Sequence, residues 1–199
     1  GQPMLELTCS EILEATGGKL LCGDIHASFA GISTDSRRIN EGDLFIPIAG
    51  EKYDGHDVME DSLDKGAAAA LTHKKSKPVR GKAIIEVGDT LAALGDIARL
   101  YRSKFSIPFV AVTGSVGKTS TKDMIWSVLK QKYNVLKSEG NFNNEIGLPL
   151  TIFNLSREHE AAVLDMGMSG FGEISRLTSI VKPHVAVITN IGMSHIEKL

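Results

Sequence analysis

Two cysteines, Cys9 and Cys22, are all that the 199 residues hold. They lie in the first segment without the spacing of a metal site, which excludes a disulfide-stapled scaffold and leads us to expect reduced structural thiols in a cytoplasmic protein. Charge of one sign is also missing: 22 Lys and Arg face 24 Asp and Glu, for a formal net charge of −2. Without a basic excess, a nucleic-acid partner is not expected. No apolar run approaches a membrane span, so membrane insertion is not expected either. The first residues show no charged stretch followed by an apolar one, so secretion is not expected, and Gly1-Gln2-Pro3 before Met4 reads as a cloning remnant. Internal repeats and low-complexity stretches are absent too.

What is there is an ordinary globular composition, 42% hydrophobic and 23% charged, arranged as alternating short apolar runs and helical stretches. Thr8-Cys9-Ser10-Glu11 has the form of a capping box opening a helix that stops at Gly17-Gly18. Ala30-Gly31-Ile32-Ser33 and Asp43 to Ile48 read as strands, with a helix following near Asp57 to Lys65. Ala67 to Leu71 and Ala83 to Val87 read as buried strands around a polar, basic loop from His73 to Lys82. A first domain is therefore expected over residues 1–84.

Residues 85–199 are more regular. A helix is expected over Thr90 to Phe105, because Leu91, Leu94, Ile97, Ala98 and Tyr101 form one stripe. Strand Phe109 to Thr113, a glycine loop, a helix from Lys118 to Lys132, strand Ala161 to Leu164, helix Glu173 to Ile180 and strand Val185 to Thr189 follow. Such alternation predicts the α/β class: a parallel sheet with helices on both faces and ligands at the carboxyl ends of its strands.

The sharpest motif is Gly114-Ser115-Val116-Gly117-Lys118-Thr119-Ser120, between an apolar strand and a helix. Glycines let backbone N–H groups turn toward phosphates, and the helix N-terminus adds partial positive charge. Lys118 would reach the β- and γ-phosphates of ATP, and the Thr119 hydroxyl would bind Mg²⁺. The generic pattern wants a glycine at position 112, where Val112 stands, so the loop is a shortened form. Asp165 ends an apolar strand, where a carboxylate must be paired, cap a helix or hold a cation. His195 follows the turn Asn190-Ile191-Gly192 and is as readily structural as metal-binding. Asn141, Asn143 and Asn144 suit either a turn or the recognition of a base or phosphate. Thr34-Asp35-Ser36-Arg37-Arg38 suits a diphosphate or carboxylate, or a solvated turn. Gly50 to His56 is turn-like.

Together these segments resemble the Mur ligase family, which builds the peptide stem of bacterial cell-wall precursors. The resemblance rests on Thr34-Asp35-Ser36-Arg37, Gly42-Asp43-Leu44-Phe45, Asp54-Gly55-His56, Thr113 to Thr121, Asn141 to Pro149 and Thr189 to His195, in family order over nearly the whole chain. The asparagine-rich loop is similar to that of the MurF type, which adds D-alanyl-D-alanine; the MurE type carries Thr-Thr there. The resemblance implies a small UDP-substrate domain, then a P-loop ATP-binding domain, in a monomeric bacterial cytoplasmic enzyme. It implies that UDP-N-acetylmuramoyl-tripeptide, activated by ATP as an acyl phosphate, is joined to D-alanyl-D-alanine. Lys118, Asp165 and His195 would be catalytic, with Thr119 and Asp165 on one Mg²⁺ and His195 on a second. Residues 114–120 and Asn144 would bind ATP. Ser33, Thr34, Asp35, Ser36, Arg37, Asn141 and Asn143 would bind the UDP-linked substrate.

Two departures qualify this expectation. The family usually carries glutamate at the Asp165 position, and aspartate draws the carboxylate back by roughly 1.3 Å. Since Mg²⁺ wants oxygens at about 2.0–2.1 Å, a shift or an intervening water is expected. The sequence also ends at Leu199, before the family's carbamylated lysine and the C-terminal domain that binds the incoming amine, so turnover by these residues alone is not expected. Competing readings are a MurE-type ligase, a non-catalytic module that captures UDP-linked precursors, and an unrelated P-loop kinase or GTPase. The last predicts an Asn-Lys-x-Asp motif, which is absent, and leaves residues 1–84 unexplained.

Overall fold

The computed structural model describes residues 4–48, 58–140, 142–167 and 172–190. The chain divides into two compact units, Pro3–Ile97 and Ala98–Leu199.

In the first unit the elements are β1 (Leu7–Thr8), α1 (Cys9–Thr16), β2 (Lys19–Cys22), β3 (Ser28–Phe29), β4 (Ile32–Ser33), β5 (Leu44–Phe45), α2 (Met59–Asp64), β6 (Ala69–Thr72) and β7 (Ala83–Glu86). The capping box forms as the sequence predicts. Thr8 Oγ1 accepts the Glu11 N–H at 3.1 Å, and Glu11 Oε1 accepts the Thr8 N–H at 3.0 Å. Gly17, at φ 69°, ends the helix in the left-handed region that glycine tolerates. The main sheet runs β2-β7-β6-β5-β4, parallel except for the antiparallel β2–β7 pair. Its core packs Phe45, Met59, Leu63, Ala67, Ala70 and Ile84 together.

The division between units falls later than the sequence suggests. A boundary after residue 84 would cut through β7, whose register with β6 runs from Ala69↔Ala83 to Thr72↔Glu86. Helix α3 (Thr90–Ser103) spans the actual division.

The second unit continues with β8 (Phe109–Thr113), α4 (Lys118–Leu129), β9 (Val135–Lys137), α5 (Gly147–Ile152), β10 (Ala161–Asp165), α6 (Glu173–Val181) and β11 (Val185–Ile188). Its sheet is wholly parallel, in the order β11-β8-β10-β9. The central strands are apolar because both of their faces are buried; Phe109, Ala111, Val112 and Ala162 to Leu164 are buried. The order matters for chemistry. The loop after β8 lies between the carboxyl ends of β10 and β11, the place where open parallel sheets bind ligands. Among the described residues, no helix is long and apolar enough to cross a membrane.

Candidate functional site

The strand β8 ends in Thr113, whose hydroxyl donates to the Met166 carbonyl at 3.1 Å and so joins the tips of β8 and β10. Gly114 follows at φ +140°, with so little room that a Cβ would come within 2.0 Å of Thr189 Oγ1. Only glycine lets the loop pass this close to β11. The clasp is completed by three hydrogen bonds. The Ser115 N–H donates to the Asn190 carbonyl at 3.1 Å, and the Val116 N–H to Asn190 Oδ1 at 3.0 Å. Thr189 Oγ1 donates to the Val116 carbonyl at 2.7 Å. Gly117 then turns at φ 77° into α4. Thr119 and Ser120 lie exposed in the helix's first turn, where backbone N–H groups lack intrahelical acceptors.

Lys118 folds back from this helix toward Asp165, with Nζ 3.5 Å from Oδ1. The aspartate is 2% exposed. Its Oδ2 accepts from Asn143 Nδ2 at 3.4 Å, whereas Oδ1 is buried with no hydrogen-bond partner. A buried carboxylate oxygen so placed, facing a lysine beside a phosphate loop, is the donor a hard cation such as Mg²⁺ would use. These residues fit that ion. Behind it, the Asp165 N–H donates to Ser138 Oγ at 2.9 Å.

The asparagine loop divides its work. Asn144 Oδ1 accepts the N–H groups of Ile146 and Gly147 at 3.1 and 2.7 Å, starting α5. That commits its oxygen to a turn and leaves its Nδ2 as the group able to meet a ligand. Asn143 holds Asp165, although the sequence reading groups it with the precursor-binding residues. Its carbonyl also receives the Gly167 N–H at 2.7 Å. Asn141, His195 and the stretch Gly50 to His56 lie outside the described residues.

In the first unit, Thr34, Asp35, Ser36, Arg37 and Val58 line an open cleft of about 560 Å³. Ser33 is buried beneath it as scaffold: its Oγ accepts the Asp35 N–H at 3.1 Å and lies 2.9 Å from the Asp35 carbonyl. Arg37 grips Asp35 in a fork, Nε to Oδ1 and Nη2 to Oδ2, both at 3.0 Å. Those hydrogen bonds hold the Asp35 carboxyl down at about 2, well below its ordinary value. The guanidinium is exposed.

Three contributors escape a reading by motif. Asn190 lies in a segment quoted for its likeness but without a role, and Ser138 has no local signature. Lys122 does carry a signal, since it stands one turn after Lys118 and therefore on the same helical face.

Comparison with known proteins places both units. Residues 112–199 match the family model described as Mur ligase middle domain, and residues 28–102 match that described as Mur ligase family, catalytic domain. The UDP-N-acetylmuramoyl-tripeptide–D-alanyl-D-alanine ligase of Bacillus subtilis (strain 168) is 43% identical over 198 residues, covering 98% of this chain and 43% of its own length. The crystal structure of MurF from Acinetobacter baumannii superposes with a TM-score of 0.91 at 34% identity, covering 99% of this chain and 44% of that one. MurF ligase from Thermotoga maritima in complex with ADP gives 0.77 at 38% identity, covering 83% and 38% respectively. The chain thus spans about two fifths of the length of the curated relatives it matches.

Proposed function

Because this chain belongs to the Mur ligase family, we propose that it carries the precursor-binding unit and the phosphate-binding half of a MurF-type ligase. Such an enzyme joins D-alanyl-D-alanine to UDP-N-acetylmuramoyl-tripeptide at the expense of ATP. The observation that carries this reading is the buried Asp165 Oδ1, unpartnered by hydrogen bonds and 3.5 Å from Lys118 Nζ at the mouth of the phosphate loop.

The tripeptide carboxylate attacks the γ-phosphorus of ATP, the β–γ bridge breaks, and an acyl phosphate and ADP result. The amine of D-alanyl-D-alanine then attacks the acyl carbon, loses a proton and expels phosphate. For the first step this chain supplies position and charge. The α4 N-terminus and its lysine gather the phosphate oxygens, and the Asn190 clasp keeps the loop from rearranging as charge moves. Thr119 and Asp165 would hold Mg²⁺, which would supply charge neutralisation to the transferring phosphate. His195 is the candidate for a second ion. With aspartate in place of the family's usual glutamate, contact through water or a small adjustment is expected. Thr34, Ser36 and Arg37 offer hydroxyls and a guanidinium to the diphosphate of the UDP-sugar end.

Calorimetric titration of this chain with the UDP-tripeptide and with MgATP, separately, tests the assignment. Two independent binding events are expected. Failure of MgATP to bind, or equal Mg²⁺ dependence of binding in wild type and Asp165→Ala, would overturn the nucleotide half. Failure of the UDP-tripeptide to bind would overturn the precursor half.

A further inference from the structure

Lys122 is 2% exposed, a charged side chain enclosed where apolar ones normally sit. Its Nζ donates to the Ser138 carbonyl at 2.8 Å. An ammonium is not buried cheaply, and a leucine or methionine would fill this helix face without a desolvation cost. The hydrogen bonds around it point to a use. Ser138 directly follows β9, and its N–H donates to the Val163 carbonyl at 3.2 Å. Its hydroxyl accepts the Asp165 N–H. Ser138 is thus held by α4 on one side and by β10 on the other, and it fixes the backbone at Asp165.

We infer that Lys122 is a positioning residue for the cation site: through Ser138 it sets where Asp165 stands relative to the phosphate-loop helix. Lys118 and Lys122, four residues apart, project from one face of α4 and anchor it to the ends of two neighbouring strands, β10 and β9. Lys118 meets the Asp165 carboxylate itself, and Lys122 meets the residue that holds the Asp165 N–H. The arrangement has a particular value here. A short aspartate side chain cannot make up for a displaced backbone, so its reach toward an ion depends on where the main chain of β10 ends. The inference rests on the reading of Asp165 as a Mg²⁺-binding residue.

The test uses Lys122→Met, which keeps length but removes charge and donors, together with Lys122→Arg, Ser138→Ala and the Lys122→Met/Ser138→Ala pair. ADP affinity is measured by calorimetry in this chain across a Mg²⁺ series, alongside thermal unfolding without nucleotide. Lys122→Met is expected to raise the Mg²⁺ concentration for half-maximal effect by about 10-fold, as loss of outer-shell support does elsewhere. Metal-free ADP affinity should stay within about twofold, since the loop amides are untouched. Ser138→Ala should shift the Mg²⁺ midpoint in the same direction, the pair should be no worse than the worse single variant, and Lys122→Arg should recover part of the loss. A lower melting temperature with an unchanged Mg²⁺ midpoint makes Lys122 a structural lysine and overturns the inference. If Lys122→Met does not fold, Lys122→Gln, which keeps a donor but removes the charge, decides by the same criterion, since Ser138→Ala leaves the carbonyl that Lys122 meets in place. Wild-type ADP binding that ignores Mg²⁺ instead removes the underlying reading of Asp165.

Discussion

Lys118 has two proposed duties that can be separated. Its Nζ lies 3.5 Å from the buried Asp165 carboxylate. Lys118→Met should therefore cost stability as well as phosphate binding, by about 2–3 kcal/mol for an uncompensated buried charge whose partner is only partly enclosed. Adding Asp165→Asn should restore most of that loss in urea unfolding while nucleotide binding stays weak. A double variant no more stable than Lys118→Met would show that the pair does not interact. Asp35 gives a residue-scale test in the first unit. Its carboxyl sits at about 2 in the folded chain against 3.8 ordinarily, so the stability it adds is present above 3.8 and lost as pH falls through 2. Carboxyl NMR titration should find that midpoint, and Arg37→Gln should return it toward 3.8.

At the scale of elements, two short pieces of backbone decide the site. The turn from β8 into α4 needs glycine at 114, where a Cβ would meet Thr189 Oγ1 at 2.0 Å and the Asn190 backbone at 2.9 Å. Gly114→Ala should weaken ADP binding by at least 10-fold in calorimetry, since relieving a clash of this kind displaces the loop at a cost on the order of 1–3 kcal/mol. The capping box of α1 is a local feature of the first unit and should behave accordingly. Thr8→Ala should lower stability by about 1 kcal/mol in denaturant unfolding and leave ADP affinity unchanged. Legibility differs between the two. The capping box is local, so Thr8 and Glu11 announce it in four residues. The clasp by Asn190 joins positions 74 apart and has no local signature.

For the molecule as a whole, acid should weaken the second unit. Burial pushes the His159 imidazole below its ordinary value, and its Nδ1 accepts the Ser156 N–H at 3.0 Å, which only a ring unprotonated there can do. The unfolded chain then binds more protons than the folded one as pH falls below 6.5, so stability should drop in that direction. Urea unfolding at several pH values checks this, and His159→Asn should flatten the slope. Since the chain spans about two fifths of its curated relatives, binding without turnover is the expected behaviour of these residues alone. Phosphate release from them that depends on D-alanyl-D-alanine would refute that expectation.

The turn Gly114 to Thr119 from β8 into α4 was legible in sequence alone, because closely spaced glycines between an apolar strand and a helix mark it locally. The apolar runs that became β8 and β10 were legible for a similar reason: a strand buried on both faces must be hydrophobic throughout. The short strand β2 was not, since it is a partly exposed edge with a register shift between Leu20 and Cys22. Tertiary structure alone decided that Asn143 serves Asp165, that Asn190 closes the loop and that Lys122 reaches Ser138. These contacts depend on the strand order β11-β8-β10-β9, which brings together the ends of strands far apart in the chain. Local residue types specify what a segment can bind, and only the packing of the sheet specifies which segments meet.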